Sequence, residues 1–125
     1  MLSGLLLGLR AAGSVTLMRV VGRSMAPTLC DGDVVVVRQL RSSPLKLGHI
    51  VVFRHPDTRV QEPVIKRIAA SQIADVGNAM FLYLVGDNPA ESQDSRHFGA
   101  VPVSAVSSVV LFRLPLPRTR GKSPE

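Results

Sequence analysis

One serine of this chain lies where a nucleophile could be held rigidly. Ser24 belongs to the turn-like stretch GRSMAPTLCDGD, which runs directly into four consecutive valines at 34–37. A serine hydroxyl is a poor nucleophile by itself and needs a base within hydrogen-bond reach. The stretch alone also fits an ordinary loop that enters a core. The choice between the two interpretations therefore depends on whether the chain offers a base.

The best candidate for that base is a lysine, since no histidine lies in surroundings that would orient it. Lys66 is the one lysine bracketed by β-branched residues, and strand alternation puts Val64, Lys66 and Ile68 on one face. Burial there would lower the lysine pKa from about 10.4 and so provide a neutral amine. The same pentapeptide also fits a lysine on an edge strand, so both interpretations remain open at this point.

Composition excludes several classes of site. The 125-residue chain fits a single domain; it is 46% hydrophobic but only 4% aromatic, so its core must be aliphatic. Its one cysteine, Cys30, excludes an intrachain disulfide and a cysteine cluster for zinc, and we interpret it as a small core residue. The three histidines lack metal-ligand spacing and are interpreted as surface residues: His49, His55 and His97. We predict no metal and no cofactor.

The net charge of +6 comes from basic residues that are scattered and cluster only near the C-terminus. No aromatic residues alternate with them for base stacking, and no basic helix is predicted, so we predict no nucleic-acid partner. A surface of anionic lipids fits the charge, at about 1 kcal/mol per nearby basic residue. A membrane surface therefore stays a candidate partner.

The N-terminal segment, residues 1–15, is apolar but is interrupted by Arg10. About 15 helical residues span about 22 Å, which is short of a hydrocarbon core near 30 Å. The segment predicts either a weak membrane anchor or a plain buried segment, and the protein is expected to be membrane-associated or cytoplasmic. A cleaved secretory signal fits less well, because cleavage near Ala12 would leave the mature chain starting against the strand before Ser24.

The rest of the chain alternates short apolar runs with turn residues and has almost no helical periodicity. Six strands are predicted, at 16–21, 34–38, 49–54, 61–70, 80–85 and 106–111. This pattern predicts a mostly-β fold, a small barrel or sandwich with little helix, as one domain over residues 16–117. Residues 118–125 are predicted to be a basic disordered tail.

Three motifs, in order, resemble those of the signal peptidase I family of Ser/Lys-dyad proteases. Residues 22–29 read Gly-x-Ser-Met-x-Pro-Thr-Leu and 32–36 read Gly-Asp-x-Val-Val, like the nucleophile box and its following strand. Residues 66–68, Lys-Arg-Ile, resemble the lysine box. Residues 86–99 resemble the third signature, Gly-Asp-Asn followed by Ser-x-Asp-Ser-Arg-x-x-Gly. The resemblance covers most of residues 20–103 and implies a signal-peptidase-like catalytic fold.

By this resemblance Ser24 is the nucleophile and Lys66 the general base. Ser92 would orient the lysine amine, while Asp94 and Arg96 would form an ion pair that braces the site.

The resemblance also bears on the oxyanion and the substrate. Some family members carry a serine as oxyanion donor two residues before the nucleophile; here that residue is Gly22, so a backbone N–H or another group must serve beside the N–H of Ser24. The substrate would be a precursor protein bound as an extended strand, with small residues at the first and third positions before the cut. Five residues match positions that would line those pockets, although each also fits a plain core role: Val20, Met25, Leu29, Val64 and Ile65.

The chain is most similar to the compact members that mature nickel-type superoxide dismutase. About 20 residues separate Lys66 from Gly86, so a large β insertion is absent; Arg-His-Pro follows the third strand, and proline follows Gly-Asp-Asn. These features imply removal of a short N-terminal propeptide. General cleavage of secretory preproteins and a mitochondrial inner-membrane-type processing peptidase are the alternatives within the family.

Two interpretations lie outside that group. LexA-like repressors and their self-cleaving relatives share a Ser-Met box, a Gly-Asp-x-Val strand and a strand lysine, but they pair this domain with a DNA-binding module. The sequence has no helix-turn-helix segment, and its 86–99 loop is typical of signal peptidases. The other alternative is not an enzyme but a small basic β-barrel binding module.

Overall fold

A single antiparallel sheet forms the protein. The computed structural model describes residues 14–40, 45–56, 62–74, 77 and 79–118, and the backbone of residues 4–5. Its eight strands are β1 (Gly4–Leu5), β2 (Val15–Arg19), β3 (Val34–Gln39), β4 (Ile50–Phe53), β5 (Val64–Ile73), β6 (Met80–Val85), β7 (Val101–Pro102) and β8 (Val106–Arg113). The order across the sheet is β1-β2-β3-β8-β4-β5-β6-β7.

The mostly-β prediction is confirmed, and all six predicted strands are present with bounds that shift by a few residues. The two additional strands, β1 and β7, have two residues each, which is too short to leave an alternating pattern. Helix is limited to α1 (Ser95–Phe98) and two 3-10 turns, Pro89–Glu91 and Val103–Ala105, within the described residues. The sheet ends at β1 and β7 and, over the part of the chain that is described, does not close into the barrel that was one predicted form.

The valine run forms the first four residues of β3, and its last three valines are buried on both faces, as the uninterrupted apolar sequence predicts. Val35, Val36 and Val37 are all buried, and β3 lies between β2 and β8. The strand is therefore a firm support directly after the turn that carries Ser24.

Strand β5 divides its side chains between two apolar clusters. Ile65 packs in one cluster with Val35 and Val37, whereas Ile68 packs in the other, against which Val64 also lies. This division is the one that alternation predicts, and it places Lys66 on the side of Val64 and Ile68. The Cα of Lys66 pairs with that of Val51, a buried residue of β4 in the centre of the sheet.

Only part of each chain end belongs to the described residues. Most of the predicted N-terminal segment lies outside the described residues; within it, β1 pairs with β2. No helix among the described residues is long and apolar enough to cross a membrane. Arg118, the first residue of the predicted tail, is described and bonds to Asp33, whereas residues 119–125 lie outside the described part.

Candidate active site

Lys66 is a buried lysine with one hydrogen-bond acceptor on a neighbouring loop. It is only 3% exposed, and its Nζ donates to Ser92 Oγ at 3.0 Å. Burial lowers the pKa of Lys66; the negative charge of Asp94 opposes that effect, and the positive charge of Arg96 adds to it. Burial therefore makes the neutral amine easier to reach here than in a lysine exposed to water.

Asp94 determines which way the Ser92 hydroxyl points. Arg96 and N–H groups including that of Gly86 hold the pKa of Asp94 well below its usual range, although burial opposes them. An ionised carboxylate only accepts hydrogen bonds, so Ser92 Oγ–H donates to Asp94 Oδ2 at 2.5 Å. The Ser92 oxygen is then an acceptor for Lys66. An amine that donates to Ser92 keeps its lone pair directed elsewhere.

The ion pair expected between Asp94 and Arg96 is present in the structure. The Arg96 guanidinium contacts both carboxylate oxygens of Asp94, at 3.0 Å and 2.5 Å, and also donates to the Gly86 carbonyl at 3.0 Å. Asp94 caps α1 as well, since its Oδ1 accepts the Arg96 N–H and its own N–H donates to His97 Nδ1. These contacts fix the loop that carries Ser92.

The backbone carbonyl of Ser24 lies beside the Lys66–Ser92 pair. The Ser24 carbonyl accepts the Asn88 N–H at 2.9 Å. At Gly86, a Cβ would lie 2.3 Å from Ser92 Oγ and 2.6 Å from the Ser24 carbonyl oxygen, so only glycine fits between them. The glycine thus permits the close approach of all three sequence motifs.

A second set of contacts, which sequence reasoning did not assign, holds residues 22–33 in place. These residues form the turn that carries Ser24 and are called the nucleophile turn below. Thr28 Oγ1 donates to Asp87 Oδ2 at 2.7 Å, and Asn88 Nδ2 donates to the Arg23 carbonyl at 3.0 Å. Arg67, the neighbour of Lys66, forks onto both oxygens of Asp87 at 2.8 Å and 2.6 Å. The Arg67 guanidinium and the Thr28 hydroxyl lower the pKa of Asp87, against the effect of burial. Each of these residues belongs to one of the three motifs, but no feature of the sequence near them indicates which residues pair.

Gly22 leaves open space beside the turn. Its φ of +94° lies in the region that favours glycine, and a Cβ built there meets nothing within 4 Å. Its N–H donates to Asp31 Oδ1 at 2.8 Å, so this N–H is already engaged. The turn is therefore open to its surroundings on the side of Gly22 where other residues carry a side chain.

Four of the five predicted pocket residues lie together in one buried cluster: Val20, Met25, Leu29 and Ile65. Val64 is half-buried and packs against the other cluster. The cluster lies under the turn and supports it, which agrees with the core role that was the alternative. A pocket role for these five residues stays a prediction.

The histidines and acidic residues show no metal arrangement. Within the described residues, no group of three or more His, Cys, Asp or Glu side chains could hold an ion.

Comparison with known proteins agrees with this geometry. Residues 2–96 match the family model described as Peptidase S24-like. The chain is also 36% identical to the mitochondrial ATP-independent inner membrane protease subunit 1a of Arabidopsis thaliana, over 80% of this chain and 70% of that protein. Both findings confirm the resemblance to signal-peptidase-type proteases. The chain belongs to the Peptidase S24-like family and is a serine-type endopeptidase.

Proposed function

We propose that Ser24 and Lys66 form the catalytic dyad of this endopeptidase and that it removes an N-terminal segment from a precursor protein. The observation that carries the proposal is the buried Lys66 amine, which bonds to Ser92 beside the Ser24 backbone. Burial lowers the pKa of that amine and Ser92 orients it, so two requirements of a general base are met.

The first half-reaction forms an ester. Neutral Lys66 takes the Ser24 hydroxyl proton while the oxygen attacks the substrate carbonyl carbon. The resulting oxyanion is held by the Ser24 N–H and a second donor. Lys66, now an ammonium, gives its proton to the leaving amine as the peptide bond breaks. The negative charge of Asp94, relayed through Ser92, stabilises that transient ammonium.

The second half-reaction regenerates the enzyme. Lys66 takes a proton from a water molecule, whose oxygen attacks the ester carbonyl. Collapse of the intermediate breaks the ester bond, releases the new carboxylate and returns the proton to Ser24 through Lys66. The substrate lies as an extended strand along the open side of Gly22, and the predicted pocket residues Val20, Val64 and Ile65 would favour small residues before the cut.

The substrate we propose is the precursor of a nickel-type superoxide dismutase, whose short N-terminal propeptide would be removed. The short connection from Lys66 to Gly86 and the motifs Arg-His-Pro and Gly-Asp-Asn-Pro support this choice. A second candidate is processing of precursors at an inner membrane, favoured by the 36% identity to the plant protease subunit. General cleavage of secretory signal peptides is the third.

Cleavage assays test both the dyad and the substrate. The wild-type chain, Ser24→Ala and Lys66→Ala are incubated separately with each of the three classes of precursor, and products are identified by N-terminal sequencing. We expect cleavage by wild type after small residues, and a loss of about 10³-fold or more in each variant. Equal cleavage by either variant contradicts the dyad. Preferential cutting of another precursor contradicts the nickel dismutase assignment.

The candidate membrane surface has a separate test. We propose that residues 1–15 and the net positive charge bring the protein to anionic lipid. The full chain should sediment with vesicles that contain anionic lipid, whereas a chain that begins at residue 16 should sediment less. Equal sedimentation of the two chains would contradict a role for the N-terminal segment.

A further inference from the structure

After β8 the chain continues alongside the start of β3 and contacts the end of the nucleophile turn. The Leu114 N–H donates to the Val34 carbonyl at 2.8 Å and so extends the pairing of β8 with β3. Arg118 then reaches Asp33, with Nε at 3.0 Å from Oδ1 and Nη2 at 2.9 Å from Oδ2. The same Nη2 lies 3.5 Å from the Thr28 carbonyl. The segment 114–118, called the C-terminal segment below, therefore contacts the turn directly.

Asp33 links this contact to the backbone of the turn. Its side chain is buried, and Oδ2 accepts the Cys30 N–H at 2.8 Å. Its own carbonyl accepts the Val20 N–H at 2.7 Å, which joins the turn to the strand before Ser24. One carboxylate thus holds both the last part of the turn and the guanidinium of Arg118.

The Asp33 carboxylate depends on Arg118 for its charge balance. Burial of Asp33 raises its pKa, but hydrogen bonds from Arg118 and the Cys30 N–H outweigh that effect and lower it. The other nearby cation, Arg113, lies further away, with Nη1 at 3.9 Å from Asp33 Oδ1. Without Arg118, the buried carboxylate would keep the Cys30 N–H and the more distant Arg113, which compensate its charge less well, and a looser turn that admits water would become favourable.

We propose that Arg118 is a positioning residue for the nucleophile, acting through Asp33 on the Cys30 end of the turn. This inference rests on the proposed role of Ser24. Two different parts of the chain then hold the turn in place. Asp87 and Asn88 hold its beginning and middle, and the C-terminal segment holds its end.

Amide hydrogen exchange of the full-length chain tests the contact without any substrate. In Arg118→Gln, the Cys30 amide should exchange roughly tenfold faster, since one partly screened charge-assisted hydrogen-bond pair is lost. The Leu84 amide lies in β6, which is separated from β3 by β8, β4 and β5, and it bonds to Ser95 Oγ; it should keep its rate. In Arg118→Lys, which retains the charge without the two-pronged guanidinium, the Cys30 exchange rate should lie between those of the wild type and Arg118→Gln.

The matched control is Arg120→Gln, which removes one positive charge from the same tail outside the described residues. It should leave both amides unchanged. An unchanged Cys30 rate in Arg118→Gln overturns the proposal. Equal acceleration at Cys30 and Leu84 also overturns it, because that result would mean a general loss of stability.

Kinetics test the consequence for Ser24. With active sites counted by a serine-directed acylating reagent, Arg118→Gln should lower kcat per active site by roughly tenfold while KM and the midpoint of the pH profile stay unchanged. In an Asp33→Asn background, which keeps an acceptor for the Cys30 N–H but removes the charge, Arg118→Gln should have little further effect. An unchanged kcat in Arg118→Gln, or additive effects of the two substitutions, overturns the proposal.

The two assays separate the two levels of inference. If wild type cleaves no precursor, the proposed function fails, and the exchange experiment still decides whether Arg118 holds the turn. If wild type cleaves and Cys30 exchange does not respond to Arg118, the positioning role alone fails.

Discussion

Asp87 and Asp94 stand in the same loop and each pairs with an arginine, but they are buried to different depths. The Asp94 side chain is 0% exposed and its partners include Ser92, which bonds to Lys66. Asp87 is 17% exposed and binds Thr28 and Arg67, neither of which takes part in the proposed proton transfer. A buried charge acts strongly on nearby groups, whereas a partly exposed one is screened by water. Asp94 therefore tunes the proposed base, and Asp87 fixes the backbone of the turn.

Replacement of Asp94 should have the largest effect among the supporting residues. In Asp94→Asn the charge that orients the Ser92 hydroxyl and stabilises protonated Lys66 is lost, so kcat should fall by roughly a hundredfold. Because the pKa of Lys66 falls further without Asp94, the rising limb of the pH–rate profile should move to lower pH. Kinetics across about pH 6 to 10 measure both effects. An unshifted rising limb would contradict the proposed influence of Asp94 on Lys66.

Replacement of Asp87 is the matched experiment and should have a smaller effect of another kind. Asp87→Asn weakens the fork with Arg67 but retains an acceptor for Thr28, so we expect a loss of about 1 kcal/mol in the free energy of unfolding. Activity should fall by less than tenfold, and the pH–rate profile should keep its midpoint. Chemical denaturation and steady-state kinetics measure the two quantities. A profile that moves as much as that of Asp94→Asn would remove the distinction between the two carboxylates.

Burial of Lys66 should also make the free energy of unfolding depend on pH, which is a smaller effect. Since burial depresses its pKa in the folded protein, the unfolded chain binds more protons between that depressed pKa and the ordinary lysine value. The free energy of unfolding should therefore rise with pH across this range, with a slope of at most about 1.4 kcal/mol per pH unit, and the gain is lost as pH falls.

Lys66→Met, which keeps the length of the side chain without the amine, should remove that contribution. Denaturation curves at about pH 7 and about pH 10 compare the two proteins. If the wild type gains no stability relative to the Met variant as pH rises, the lysine is not kept neutral by the fold.

The strands were predictable because valine and isoleucine runs, bounded by proline and glycine, leave a local pattern. The motifs likewise predict one family arrangement for Ser24, Lys66 and Ser92. The contacts that fasten the turn were not predictable in this way. Thr28 and Asp87 are 59 residues apart, and Asp33 and Arg118 are 85 apart, and neither separation has a periodicity that sequence could reveal.

Whether the sheet closes into a barrel could not be predicted from the sequence, for a related reason. Strand alternation tells which side chains share a face, but it does not tell whether the first and last strands meet. The two short strands at the ends of the sheet, β1 and β7, carry no alternating signal either, because each has only two residues. Pairing at sheet ends is decided by long-range packing.

NMR can measure directly whether the fold lowers the pKa of Lys66, as its proposed role of general base requires. The chain has three lysines, so a protein labelled with ¹³C-lysine gives three side-chain signals, and Lys66→Met assigns the Lys66 signal by its absence. A titration of the full chain should show the Lys66 signal changing at clearly lower pH than the ordinary lysine value of about 10.4. If the Lys66 signal changes near that ordinary value, the proposed general base is contradicted.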